Sequence, residues 1–178
     1  MQNFEFNTPQ GIRFGQGSSV TSCNEIIKKL GSKIFFITDK ELLSLGLPNP
    51  TIIELEKKAE IKIFDQVESD PSYNTLLEAI KEARSFKATG IIGFGGGSPM
   101  DIAKLVALIL GSDENLEDIW GVANAKGPRL PLVLMPTTAG TGSEVTPISI
   151  ITIENDEKRG VSSPIILPDL SILDPDLT

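Results

Sequence analysis

The 178-residue sequence contains no histidine and only one cysteine, Cys23. Without histidine the chain cannot form a Ser-His-Asp or a Cys-His catalytic set. Catalytic zinc and iron need a converging set of imidazole, thiolate or carboxylate ligands, and no paired-carboxylate site is evident either. We therefore predict neither a catalytic residue nor a metal ligand in this chain. A single cysteine forms no internal disulfide, which favours a reducing, cytoplasmic location, and Cys23 is predicted to be a packing residue in a helix.

Long apolar runs and basic clusters are missing as well. No apolar run approaches the roughly 20 residues that span a bilayer, and the N-terminus lacks the basic start and apolar core of a signal peptide. The net charge is −8 and no Lys/Arg cluster is present, which argues against nucleic acid as a partner. With 40% apolar residues, the chain is expected to form one domain over residues 1–178 that binds neither membranes nor nucleic acids.

Strand-like and helix-like segments alternate along the chain. Predicted strands lie at residues 4–7, 12–14, 33–38, 61–64, around 91 and 132, and at 148–153. Predicted helices lie at 19–30, at 49–60 and from Asp70-Pro71 onward. Repeating strand–helix units predict an α/β fold, a Rossmann-like parallel sheet with helices on both faces.

The most informative segment is GFGGGSPMDIAK at residues 93–104, which joins an apolar strand to an apolar helix. Such a glycine-rich turn places bare backbone N–H groups against a phosphate at a helix N-terminus. Ser98 is a natural N-cap, Pro99 suits the first helical position, and Asp101 completes a Ser-x-x-acid capping box. We interpret this turn as a pyrophosphate site built by Gly95, Gly96, Gly97 and Ser98.

A tight connection with no ligand is the alternative interpretation of this turn. Its spacing, G-x-G-x-x-S from Gly93, has serine where the common dinucleotide fingerprint has glycine or alanine. A second segment, TTAGTGSEVT at residues 137–146, also follows an apolar strand and is rich in hydroxyls. It can bind ribose or phosphate oxygens, or merely solvate its own backbone. Two such loops at strand ends of one parallel sheet favour a ligand site, because ligands bind outside the carboxyl ends of strands.

Asp39 ends an early strand and has two interpretations. Its carboxylate can accept hydrogen bonds from an adenosine ribose and repel a 2′-phosphate, which predicts NAD, with NADP less favoured. Alternatively, Asp39 is the N-cap of a helix that starts at Lys40. Lys104 has three possible roles: it can pair with Asp101, neutralise a phosphate or lie solvated on the helix face.

These segments resemble the iron-containing (group III) alcohol dehydrogenase family. The resemblance rests on the two loops and on flanking matches in the same order, namely Phe14-Gly15-x-Gly17, Lys158-x-Gly160, Leu167-Pro168-Asp169 and Leu173-Asp174-Pro175-Asp176-Leu177-Thr178. It therefore covers essentially the whole chain. The architecture that it implies is shared with glycerol dehydrogenases, maleylacetate reductases and dehydroquinate synthases, and the Pro-Thr-Thr-x-Gly-Thr-Gly-Ser-Glu form favours alcohol dehydrogenase.

The resemblance implies further roles in cofactor binding. Thr137, Thr138 and Thr141 would contact the diphosphate-ribose-nicotinamide part, and Asp101 and Lys158 would lie near the nicotinamide ribose. For Lys158 a position at the tip of a hairpin, residues 154–159, is the simpler alternative. Asp70 stands where the family often has asparagine beside the adenosine, which puts that contact in doubt.

The resemblance also implies what this chain does not contain. The family holds a divalent metal, Fe or Zn, with one Asp and three His from a helical C-terminal domain, which we expect to be absent here. The implied reaction is hydride transfer between an alcohol or aldehyde and nicotinamide, with the fragment itself inactive. The expected partners are the dinucleotide, a small alcohol or aldehyde through the missing domain and, as a further possibility, a second copy of the chain. The alternative is a stand-alone nucleotide-binding or interaction module without redox activity.

Overall fold

The computed structural model describes residues 4–153 and 156–178, and nine strands and seven α-helices are assigned in them. The strands are β1 (Ile12–Phe14), β2 (Lys33–Ile37), β3 (Glu60–Phe64), β4 (Gly90–Gly95), β5 (Gly121–Val122), β6 (Leu132–Pro136), β7 (Ile148–Thr152), β8 (Lys158–Ser162) and β9 (Leu170–Leu173). The helices are α1 (Ser18–Thr21), α2 (Cys23–Leu30), α3 (Lys40–Ser44), α4 (Asn49–Glu56), α5 (Tyr73–Phe86), α6 (Gly97–Ser112) and α7 (Leu116–Ile119). Short 3₁₀ turns follow β6, β8 and β9.

Six strands form one parallel sheet in the order β1-β9-β6-β4-β2-β3. One hydrophobic core lies on each face of this sheet. Successive side chains of a strand point to opposite faces, so those of the central strands enter the two cores alternately. Phe35 packs in the core that α5 and α6 cover, whereas Phe36 packs in the core that α2 and α4 cover. The predicted Rossmann-like sheet with helices on both faces is confirmed.

Close approach of helix to sheet depends on one glycine of β4. A methyl group on Gly93 would lie 2.7 Å from Cβ of Ala103 and 3.2 Å from Cα of Met100. Both of these residues belong to α6, so the helix rests directly on the backbone of the strand that leads into it. This contact fixes the direction in which α6 leaves the sheet.

Several predicted boundaries are wrong. Residues 4–7 form no strand, and Phe4 and Phe6 are exposed there because no neighbouring strand of the described chain pairs with them. The predicted helix at 19–30 is interrupted at Ser22 into α1 and α2. Helix α4 ends at Glu56 and not near residue 60, because Glu60 already pairs with Lys33 in the sheet.

The strand predicted at 148–153 belongs to a different sheet. It forms β7, which is antiparallel to β8 in a three-stranded sheet of order β5-β8-β7. The predicted hairpin between these strands is therefore confirmed, although residues 154 and 155 at its tip lie outside the described residues. Cys23 packs as predicted, since it is 3% exposed and burial raises the pKa of its thiol to about 11.

Candidate functional site

The sheet changes its winding direction between β2 and β4, which are neighbours. The helix that packs after β2, α4, covers one face, whereas α6, which follows β4, covers the other. A crevice opens at such a switch point outside the carboxyl ends of the strands, and ligands of open α/β sheets bind there. Asp39 closely follows β2, and Gly96 directly follows β4. The topology thus brings two of the predicted site residues to one place.

The N-terminus of α6 is not capped by a side chain. Gly96 is its N-cap residue, and the helix starts at Gly97, so the predicted capping by Ser98 is wrong. Ser98 and Pro99 are the second and third helical residues, because Gly95 adopts φ +142°, which lets the chain turn into the helix earlier. Uncapped N–H groups at the start of a 16-residue helix leave donors and a positive dipole end for an anion.

A cavity of about 600 Å³ lies directly in front of this helix start. Its walls come from four segments, namely the glycine turn, the α3 region, the loop between β3 and α5, and the end of β6. The predicted residues among its lining are Asp39, Gly96, Gly97, Ser98, Thr137 and Thr138. The cavity is large enough to take a sizeable part of a dinucleotide.

The hydroxyl-rich loop contacts the glycine turn. Thr137 N donates to the Gly95 carbonyl at 2.9 Å, which holds the start of the loop beside the turn. A methyl group on Gly97 would lie 3.3 Å from Cγ2 of Thr141, and one on Gly96 would lie 3.8 Å from Cγ2 of Thr138. The missing Cβ atoms therefore leave a shallow cradle between the helix start and the threonines.

Asp39 is the N-cap of α3 and also lines the cavity. Its Oδ1 accepts from Leu42 N at 2.8 Å, so the carboxylate is the N-cap of α3. The same half-buried residue lines the cavity. A capping carboxylate keeps its second oxygen available, because one backbone N–H occupies only one of them.

Acidic residues of the cavity wall were not predicted from the sequence. Glu41, Asp65 and Glu68 line the same cavity as Asp39. Burial raises the pKa of the Glu68 carboxyl, but hydrogen bonds from Ser72 and Thr75 lower the pKa by more, so Glu68 is charged at neutral pH. Only tertiary structure places the β3–α5 loop beside α3, and no sequence motif marks these residues. Lys40 also lines the cavity, but the four carboxylates outnumber it and make this wall negatively charged.

Asp101 points away from the cavity and forms no capping box. Its Oδ1 accepts from Ser143 Oγ at 2.6 Å, and its Oδ2 accepts from Ile150 N at 3.0 Å. Its backbone carbonyl accepts from Ser149 Oγ at 2.9 Å. Asp101 therefore attaches α6 both to the hydroxyl-rich loop, through Ser143, and to β7, through Ser149 and Ile150.

Lys104 is not solvated, contrary to one of its predicted placements. It is fully buried, and Nζ donates to Ser143 Oγ at 2.7 Å and to the Ile148 carbonyl at 2.6 Å. The i,i+3 pair with Asp101 is present, with Nζ 3.5 Å from Oδ1. Burial lowers the pKa of the Lys104 ammonium to about 8, although the Asp101 carboxylate acts in the opposite direction.

Lys158 does not line the cavity in this structure. It is the first residue of β8, is exposed, and its Nζ lies 2.5 Å from Oδ1 of Asp70. Asp70 has φ +53° and precedes α5, which starts at Tyr73 behind a Ser72 N-cap and not at Asp70-Pro71. Asp70 thus forms an ion pair with Lys158.

Residues 4–153 and 156–178 offer neither a set of metal ligands nor a membrane span. No group of three or more His, Cys, Asp or Glu residues in these ranges converges as metal ligands would. Over the same ranges, none of the helices has the length and apolar character needed to cross a membrane. The described residues therefore offer no ligand set for a divalent metal, whereas the uncapped helix start offers backbone donors to an anionic group.

Comparison with known proteins extends over nearly the whole chain. A sequence model described as iron-containing alcohol dehydrogenase matches residues 9–175. Sulfoacetaldehyde reductase of Bilophila wadsworthia is 36% identical over 177 residues, which are 98% of this chain and 46% of that protein.

Two solved structures have the same fold. A 1,3-propanediol oxidoreductase superimposes with a TM-score of 0.92 at 32% identity, over 99% of this chain and 47% of that chain. Sulfoacetaldehyde reductase from Bifidobacterium kashiwanohense, solved in complex with NAD⁺, superimposes with a TM-score of 0.87 at 28% identity, over 100% of this chain and 48% of that chain. The chain thus spans about half the length of the relatives that it matches.

Proposed function

The chain belongs to the iron-containing alcohol dehydrogenase family, and we propose that residues 1–178 are its dinucleotide-binding domain, with NAD preferred over NADP. The observation that carries this proposal is the uncapped start of α6, which opens into the cavity beside a glycine cradle. Backbone N–H groups at such a helix end bind a pyrophosphate without any basic side chain.

The contacts of the proposed complex follow from the walls of the cavity and from Gly95 and Thr141, which lie beside them. Gly95, Gly96, Gly97 and Ser98 hold the pyrophosphate against the helix start. Thr137, Thr138 and Thr141 offer hydroxyl groups to the diphosphate, the nicotinamide ribose and the nicotinamide. Asp101 acts behind this surface, because its oxygens are already bonded to Ser143 and Ile150.

The preference for NAD comes from the negatively charged wall. The free oxygen of Asp39 can accept from the adenosine ribose diol, and a 2′-phosphate there would meet a like charge. Glu41, Asp65 and Glu68 line the same cavity and increase this repulsion. Lys158 could join the nicotinamide ribose only after it exchanges its contact with Asp70.

For the enzyme as a whole we propose hydride transfer between a small alcohol or aldehyde and NAD. A divalent metal, Fe or Zn, held outside these residues would polarise the substrate oxygen. The part played by this chain is to bind the dinucleotide, to orient the nicotinamide through the threonine loop and to reject 2′-phosphorylated cofactors.

Calorimetric titration of the chain with NAD⁺, ADP-ribose and NADP⁺ tests the binding proposal. We expect NAD⁺ and ADP-ribose to bind with a Kd of about 0.1–1 mM and NADP⁺ to bind at least about tenfold more weakly. Absence of binding by all three, in protein whose circular dichroism shows a folded α/β domain, would refute the proposal.

The redox proposal is tested with the protein expressed from its complete reading frame. After loading with Fe²⁺ or Zn²⁺, this protein should reduce NAD⁺ with a primary or secondary alcohol. Binding of NAD⁺ without turnover under both metals would instead favour a nucleotide-binding module with no redox activity.

A further inference from the structure

Lys104 is a fully buried charge to which the binding proposal gives no role. It lies in the second turn of α6, among helical residues that are almost all apolar and buried. An isolated ammonium is costly to bury, so a lysine is retained at such a position only where specific partners receive its protons. Its zero exposure also separates it from a phosphate in the cavity.

The partners of Lys104 lie in the loop of residues 137–146 and at the start of β7, which follows it. Nζ donates to Ser143 Oγ and to the Ile148 carbonyl, at 2.7 Å and 2.6 Å. Ser143 Oγ in turn donates to Asp101 Oδ1, so the serine hydroxyl is held from both sides by groups of α6. These contacts fix the loop at a point just past its last glycine, Gly142.

A continuous chain of contacts leads from Lys104 to the glycine cradle. The backbone N–H of Ser143 donates to Thr141 Oγ1 at 3.3 Å, which orients that threonine side chain. Cγ2 of the same threonine faces Gly97, where an added methyl would be 3.3 Å away. The position of the Thr141 hydroxyl above the helix start is thus set through Ser143.

We propose that Lys104 is a positioning residue for nucleotide binding, which holds the loop of residues 137–146 over the start of α6 through Ser143. This inference rests on the proposed dinucleotide function but assigns Lys104 no contact with the ligand. Asp101 is the counter-charge of Lys104. Ser143 connects both residues to Thr141, because its hydroxyl contacts Lys104 and Asp101 and its N–H donates to Thr141.

The arrangement makes nucleotide binding depend on pH. The charged groups that face Lys104 are Asp101 on its own helix and Glu144 on the 3₁₀ turn after the loop. Burial lowers the pKa of Lys104 to about 8, so above that pH Asp101 and Glu144 lose the cation that faces them behind the helix start. Binding of an anionic ligand favours the protonated lysine, and affinity for NAD⁺ falls as the pH rises through 8.

The test compares Lys104→Met with Lys81→Met, which removes an exposed lysine of α5, in NAD⁺ titrations from pH 6.5 to 9.5. Wild type and Lys81→Met should bind alike and lose affinity above pH 8. Lys104→Met should bind about tenfold more weakly at pH 7 and show a nearly flat profile. Ser143→Ala should weaken binding in the same direction, and the double variant should be no weaker than Lys104→Met, since both residues act through one contact.

Hydrogen exchange of the loop gives a readout that needs no ligand. The amides of residues 137–146 should exchange faster in Lys104→Met than in Lys81→Met, while those of the parallel sheet stay protected. If Lys104→Met does not fold, Ser143→Ala carries both measurements.

Two negative outcomes are distinguishable. If wild type binds NAD⁺ and Lys104→Met keeps its affinity and pH profile, the positioning role is overturned and the proposed function stands. If wild type binds no nucleotide, the proposed function fails, and the exchange data alone decide whether Lys104 orders the loop; unchanged exchange overturns that role.

Discussion

Gly97 and Thr141 lie against each other across the site, so that a methyl group added to Gly97 would be 3.3 Å from Cγ2 of Thr141. Gly97 starts the helix that follows β4, and Thr141 belongs to the loop that follows β6. The contact therefore joins the two segments that were separately predicted to bind phosphate and ribose. Under the proposed function, the absent Cβ lets a pyrophosphate approach the backbone N–H groups of the helix start beside Thr141.

Gly97→Ala tests this cradle. The methyl should displace Thr141 and enter the phosphate site, raising the Kd for NAD⁺ by about tenfold or more without lowering the melting temperature, because alanine is the better helix former. Gly11→Ala is the matched control, since its methyl would also lie 3.3 Å from a methyl group, Cδ1 of Leu170, but at a sheet edge away from the cavity. Equal NAD⁺ affinity in both variants would contradict the cradle.

Asp39→Asn separates cofactor choice from helix capping. Asparagine keeps an oxygen for Leu42 N and removes the charge, so α3 should persist while discrimination against the 2′-phosphate falls. We expect the ratio of the NADP⁺ to NAD⁺ dissociation constants to drop by about tenfold. The preference for NAD⁺ that remains would come from the other acidic residues of the wall. Asp118→Asn on α7, which does not line the cavity, should leave the ratio unchanged. An unaltered ratio in Asp39→Asn would exclude Asp39 from specificity.

Asp174→Asn should lower stability in a pH-dependent manner. The buried Asp174 carboxylate accepts from Gly17 N, Asp176 N and both donors of Ser19. Burial raises the pKa of Asp174, but these hydrogen bonds lower it by more, so the net shift is downward. A lowered pKa in the folded state stabilises the protein above the unfolded value of about 4, and this stabilisation is lost as the pH falls through the folded value.

The comparison of Asp174→Asn with wild type is made by urea unfolding at several pH values. The variant should be less stable by about 1–3 kcal/mol at pH 7, because its amide would face the Ser19 donors, and the difference should shrink below pH 4. A difference that stays constant with pH would show that the carboxylate charge is not the cause.

Gly111→Ala should destabilise the protein although helix propensity predicts the reverse. Alanine is favoured over glycine in a helix by about 1 kcal/mol, yet the added Cβ would lie 2.5 Å from Cα of Arg129. Because the Leu130 N–H is bonded to the Ala107 carbonyl, this backbone has little freedom to retreat, and we expect a loss of about 1–3 kcal/mol. Ser85→Ala, at an exposed position of α5, should be neutral or slightly stabilising. The free energies of unfolding of both variants are measured in urea, and a Gly111→Ala variant more stable than wild type would contradict the steric argument.

Patterns within short segments predicted the sheet, the positions of the glycine turn and the hydroxyl-rich loop at strand ends, and the hairpin, because strand and glycine-turn signals are local. Ser98 shows where local reasoning fails. Its residue type and spacing fit an N-cap, but the conformation of Gly95 starts the helix two residues before the predicted first position, Pro99. Lys104 shows the same limit, since sequence spacing indicated its pairing with Asp101 but not its burial.

The sequence by itself determined the α/β class, the family and the segments that meet at the carboxyl ends of β2, β4 and β6. These features depend on hydrophobic periodicity and on the glycine-rich and hydroxyl-rich segments, which can be recognised within a short stretch of sequence. Tertiary structure alone decided that the β3–α5 loop adds Asp65 and Glu68 to the cavity, that β7 leaves the parallel sheet and that Lys104 is buried against Ser143. Each of these depends on segments far apart in the chain, whose contact is fixed by packing and by no local pattern.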